Sequence, residues 1–189
     1  MTLPTPAAPA NNIAARSGEA VAIAMADGVG AAIVSAGEVS IVAPEELVDT
    51  LAAIERDRGP RWVWWSKATA CVLVECGLRP ARCWDLDAVH RLIHGGWRAG
   101  PGRVWAASHG LDVEDVPAST TLNLFSAAID SDPNEPVRSD GHIDPIWIKG
   151  AWNDSTANLQ RWAELALEVH HRQTTQLQQL ADRPAAVAT

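Results

Sequence analysis

The sequence predicts a single α/β domain on a mixed sheet, and three patterns carry that expectation. Alternating apolar residues interrupted by Asp27-Gly28 and Ala36-Gly37 mark an antiparallel three-strand meander; two short apolar runs, each followed by a helical stretch, mark strand, helix, strand, helix; a long amphipathic helix comes last. With 189 residues, 47% of them hydrophobic, the chain can bury one core of two or three layers. Residues 19–182 are assigned to that domain, and the patternless stretches 1–18 and 183–189 to flexible tails.

Val21, Ile23 and Met25 alternate with small residues, Ile33 and Val34 follow the Asp27-Gly28 turn, and Val39 and Ile41 follow Ala36-Gly37. Pro44 suits the first turn of a helix, where its missing N–H costs nothing. Glu45 and Glu46 favour the positive end of that helix, Leu47, Val48, Leu51 and Ile54 give it one apolar face, and Gly59-Pro60 stops it. Trp62 to Trp65 reads as a strand buried on both faces. Ser66 is positioned to cap a helix over 68–76 that is apolar nearly all round, as for a helix buried against the sheet, and Gly77 ends it. Ala81 to Trp84 is a second short strand, after which Asp85 can cap a helix turning Leu86, Val89, Leu92 and Ile93 inward. A short helix is expected around Val104 to His109. Residues 112–150, rich in Asp, Pro, Ser and Asn, are expected to wrap the surface as a long loop anchored by Leu122, Leu124, Phe125, Ile146 and Trp147. Leu159, Trp162, Ala166, Val169, Gln173, Leu177 and Leu180 then recur at steps of three and four, the signature of a long helix.

The formal net charge of −8 opposes sequence-independent attraction to nucleic acid. Basic residues do concentrate between Arg56 and Arg103, and Lys67, Arg79, Arg82 and Arg91 are the candidates for contact with a phosphate backbone. Three cysteines, Cys71, Cys76 and Cys83, have no paired spacing, which with the lack of a signal-peptide pattern or membrane-length apolar run leads to a cytoplasmic expectation. Nine tryptophans accompany one Phe and no Tyr. Packing in the core and at its rim is the simpler use for them than nine stacking platforms for bases.

Meander, helix, then alternating strands and helices is the order of a ribonuclease H-like three-layer fold. Arg61-Trp62-Val63-Trp64-Trp65, Glu75-Cys76-Gly77-Leu78-Arg79, Arg82-Cys83-Trp84-Asp85-Leu86 and the late segment from Gln160 to Gln173 resemble the N-terminal 3′–5′ exonuclease domain of actinobacterial family A DNA polymerases. The polymerase module would begin where this chain stops, and is expected to be missing. The resemblance implies a two-metal site held by an Asp-x-Glu on the first strand, an Asp on a central helix and a Tyr-x-x-x-Asp on a late helix. Those carboxylates are not found. The first strand reads Ile23-Ala24-Met25-Ala26-Asp27, Trp65 and Thr69 stand where Asn and Asp are wanted, and the late helix offers only Glu164 and Glu168.

The resemblance therefore implies a degenerate, non-catalytic domain tied to polymerase I-type replication or repair, acting as a scaffold or weak DNA contact, with no cofactor. Asp85 and Asp87 are the best remaining acidic pair, and magnesium enters only if they serve a residual nuclease; a cap at Asp85 beside a solvated Asp87 is the simpler reading. The rival is a protein–protein module using exposed tryptophans and the last helix, with a replication or repair protein as partner or a homodimer through that helix. His90 and His94 have zinc spacing with Cys83 near in sequence, but no fourth ligand is identifiable. Gly28-Val29-Gly30 resembles part of a dinucleotide loop, yet a hairpin accounts for it better, and Ser66 and Ser108 lack a nucleophile motif.

Overall fold

A computed structural model describes residues 18–116 and 134–182. Strands β1 (Ala20–Ala26), β2 (Gly30–Ser35) and β3 (Glu38–Val42) form the expected meander, with Ala26 paired to Gly30 and Ser35 to Glu38 across the two turns. Gly30 is required there: its φ is +108°, and a Cβ would sit 2.1 Å from the Val42 carbonyl oxygen. A short 3-10 turn at Pro44–Glu46 leads into α1 (Leu47–Arg58), closed by Gly59 in the left-handed conformation. Strand β4 (Arg61–Trp64), α2 (Lys67–Glu75), β5 (Cys83–Asp85) and α3 (Leu86–His94) follow, then α4 (Pro101–His109), α5 (Pro145–Ile148) and α6 (Thr156–Ala181).

The five-stranded mixed sheet has the order β3-β2-β1-β4-β5. Strand β2 is antiparallel to both its neighbours, while β4 pairs parallel with β1 and β5 parallel with β4, so β2 alone is reversed. The period of two along each strand divides the core. Val21, Ile23, Ile33, Trp62 and Trp64 face Leu51 of α1 and Leu73 of α2. On the other face Ala22, Ala24 and Ala32 are small, which leaves room for Trp162, Leu165, Ala166 and Val169 of α6 and for Trp105 and Trp147. The sheet thus lies between helices on both sides.

Four expectations are corrected. Helix α2 is buried only at Leu73, and Val72 and Val74 lie exposed, because it rests one face on the sheet and nothing among the described residues covers the other. Ser66 occupies its N-cap position without a side-chain hydrogen bond. In α3 the phase set by fully buried Leu86 brings His90, one turn on, into the core at 4% exposure and leaves Leu92 77% exposed. Val48, on the outer side of α1, is likewise exposed.

Residues 134–150 do not merely wrap the surface. Ile143 and Trp147 are buried in the core, Asp144 caps α5 through the Ile146 amide at 2.9 Å, and Ile146 itself is exposed. Leu122, Leu124, Phe125 and both tails, apart from Gly18, lie outside the described residues. Helix α6 matches its expected pattern, but Leu159 to Gln173 pack on the chain's own sheet, leaving Leu177 and Leu180 as the less buried apolar positions. Among the described residues no helix is long and apolar enough to cross a membrane.

Candidate functional site: an aromatic crevice at the strand ends

In open α/β sheets, ligands collect outside the carboxyl ends of the strands, where neighbouring connections diverge. In this chain β1 returns through a hairpin while its parallel neighbour β4 runs on into α2, and a crevice of about 250 Å3 opens at their carboxyl ends. The second half of β1 contributes Ile23, Ala24 and Met25, the start of α2 contributes Thr69, and α6 contributes Trp162. Trp65 stacks on Trp162 with ring centroids 4.6 Å apart and donates its indole N–H to the Trp162 carbonyl at 3.1 Å. Trp152 lies parallel to Trp162 on another side, at 5.9 Å and an interplanar angle of 6°. The crevice is walled by indoles, with Ser66 and Thr69 as its hydroxyl-bearing residues.

The three segments named from sequence as possible metal carriers, the first strand, the residues from Trp65 to Thr69 and the late helix, do meet in this crevice. Among the described residues, no carboxylate lines it. Glu164 is held by Gln160 and Arg161, and Glu168 by His109 and Arg172, both away from the lining. An apolar, aromatic crevice can take flat or hydrophobic groups by stacking and burial, but it offers no anionic oxygens to hold clustered divalent cations.

Asp85 is the expected cap. One oxygen accepts from the Ala88 amide at 2.9 Å and the other from the Trp64 indole N–H at 3.2 Å. Asp87 differs from expectation: it is partly buried and accepts from the Gly100 amide at 2.9 Å, tying α3 to the start of α4. Burial pushes its carboxyl above the usual range; the Gly100 bond opposes this, the Asp85 charge adds to it and Arg91 opposes it. Both acids thus make hydrogen bonds that tie the fold together. Among the described residues no three His, Cys, Asp or Glu side chains gather as a metal cage, His90, His94 and Cys83 included.

The four basic candidates are exposed but not gathered. Lys67 begins α2 at the carboxyl end of β4, whereas Arg79 and Arg82 precede β5 at the opposite end of the sheet, about 13 Å away along a nine-residue helix. Arg91 is engaged on α3, donating to the Trp97 carbonyl at 3.1 Å and lying 3.8 Å from Asp87.

Ser108, His109 and Glu168 stand in the order of a hydrolase triad, with Ser108 Oγ 3.0 Å from His109 Nδ1 and His109 Nε2 3.0 Å from Glu168 Oε1. The chemistry runs the wrong way. The Ser108 hydroxyl donates to the Trp105 carbonyl at 2.8 Å, so towards His109 it accepts, and the buried hydroxyl is closed to substrate. The cluster fastens α4 to α6.

Of the nine tryptophans, Trp97 alone is strongly exposed, at 79%. Trp62, Trp64, Trp65, Trp84 and Trp105 each place the indole N–H on a protein acceptor, which supports the packing role expected for most of them. Sequence reasoning missed Trp152 and Trp162 as walls of one crevice, since only the fold brings them to Trp65. Comparison of the chain with protein-family models, curated proteins and solved structures finds no match. Fold and site together define an α/β domain with an aromatic crevice at the ends of its central strands, lined among the described residues by no carboxylate.

Proposed function

We propose that this chain is a degenerate 3′–5′ exonuclease-like domain of ribonuclease H-like layout, which serves polymerase I-type replication or repair as a scaffold or weak DNA contact without cutting. The strand order β3-β2-β1-β4-β5 with β2 alone reversed, and helices on both faces, supports the layout. One observation carries the loss of catalysis: the crevice where β1, α2 and α6 converge is lined by Ile23, Met25, Trp65, Thr69 and Trp162 instead of carboxylates. Two-metal phosphodiester hydrolysis needs anionic ligands to hold both ions and to activate water, and apolar side chains cannot substitute.

A scaffold of this kind tolerates an overall charge of −8, because any DNA contact is local. Since Lys67 and the Arg79/Arg82 pair occupy opposite ends of the sheet, few phosphates are reached at once. Binding to primer-template DNA is expected to be weak, detectable at low salt and to fade with a slope of about two to three ions released per complex. Fluorescence anisotropy across a salt series measures this. No binding at low salt would remove the DNA-contact role.

A further inference from the structure

A second cavity, of about 400 Å3, lies between α3 and α4 and shares no residue with the aromatic crevice. Its walls carry His90, His94, Trp97, Arg98 and Arg103, and no carboxylate is among the described residues that line it. The cavity thus gathers two guanidinium groups, one of them paired with Glu114, and two imidazoles on a chain with a net charge of −8. The Gly95-Gly96 turn, with φ of +74° and +76°, lets the chain fold back so that Trp97 and Arg98 face the helix they have just left.

Each wall has a separate capability. His90 is 4% exposed, makes no hydrogen bond to another described residue, and presents its ring to the cavity 4.8 Å from that of His94. Arg103 is held by Glu114 at 2.9 Å and by the Val113 carbonyl at 3.4 Å. Trp97 is 79% exposed, an indole face left to solvent, and its carbonyl is held by Arg91. Arg98 sits over that indole at 5.5 Å from its centre.

Guanidinium and imidazole donors on one side suit a phosphate, and an exposed indole beside them suits a planar ring. The volume falls within the range that admits a small nucleotide. We propose that the cavity between α3 and α4 is a binding site for a nucleoside monophosphate, with His94, Arg98 and Arg103 taking the phosphate and Trp97 stacking on the base. Burial, together with the nearby His94, Arg103 and Arg91, already disfavours charging His90.

Calorimetry of the full chain with AMP, adenosine, inorganic phosphate and a 5′-phosphorylated oligonucleotide tests the site. AMP is expected to bind about tenfold or more tightly than phosphate or adenosine alone, since each supplies only half of the recognition. Arg98→Glu, on an exposed side chain, is expected to weaken AMP by about tenfold or more with the circular dichroism spectrum unchanged, and Trp97→Ala to reduce AMP to the level of phosphate. His90 and His94 ring-proton shifts should follow AMP with the same affinity. No AMP binding at millimolar concentration, AMP affinity indifferent to both substitutions, or binding of the oligonucleotide alone would overturn the proposal.

Discussion

Replacing Trp162 with alanine is expected to lower the unfolding free energy by about 3–5 kcal/mol, a large share of what a domain of this size possesses. Trp162 is 3% exposed and stands where three indoles meet: Trp65 stacks at 4.6 Å, Trp152 at 5.9 Å, and Trp147 is tilted at 6.2 Å. Ala22, Ala24 and Ala32 on the facing sheet have no atoms with which to fill the space an alanine would leave, so the cavity cannot close. Trp162→Phe, which retains most of the ring, is expected to cost roughly half as much. Urea unfolding followed by circular dichroism measures both. A loss below 1 kcal/mol for Trp162→Ala would mean that this helix face is not packed as described.

The second large effect is on acidification. His170 is 8% exposed and neither ring nitrogen has a hydrogen-bond partner among the described residues; its ring meets Trp84 edge-on at 4.8 Å and His171 at 5.6 Å. Burial, then the charges of His171 and Arg61, lower its pKa to about 4, and burial with His94, Arg103 and Arg91 does the same for His90. In the unfolded chain both imidazoles titrate near 6.5. Between these values the unfolded state binds more protons, so stability is whole above about pH 6.5 and falls as pH drops towards 4. For His170 the loss is about 2–3 kcal/mol by pH 4.5. His170→Phe should leave stability at pH 7.5 within about 1 kcal/mol of the parent and flatten the decline. Equal slopes for parent and variant between pH 7.5 and 4.5 would contradict the burial of an unpaired imidazole.

The meander was legible because its signal is local: Val21, Ile23 and Met25 alternate and Asp27-Gly28 turns the chain. Helix α6 was legible for the same reason, having twenty-six residues over which a three-to-four step can repeat. The failures share a different cause. Val72 and Val74 look buried on composition, yet whether a helix is covered on its outer face depends on elements far away in sequence. His90 and Leu92 exchanged places because the phase of α3 is set by Leu86 and not by hydrophobicity residue by residue. Ile143 lies in a stretch without periodicity, and its burial comes from the tertiary fold alone, whereas Trp147 was expected to anchor that stretch and does so.

For the candidate site, the sequence shows no carboxylates at the positions the resemblance requires, whereas the crevice itself was not legible in it. Trp65 and Trp162 are 97 residues apart, and no spacing rule connects them. The cationic cavity was hidden similarly: His90 and His94 drew notice as a zinc spacing, while Trp97, Arg98 and Arg103 join them only once Gly95-Gly96 has reversed the chain.

Incubation of the purified full chain with a 3′-terminated single-stranded DNA in manganese is the most direct trial of the proposal that the crevice holds no catalytic metal. The expected result is DNA of unchanged length at enzyme excess, with and without chelator. Shortening of the strand that requires manganese and stops with chelator would contradict the loss of the metal site.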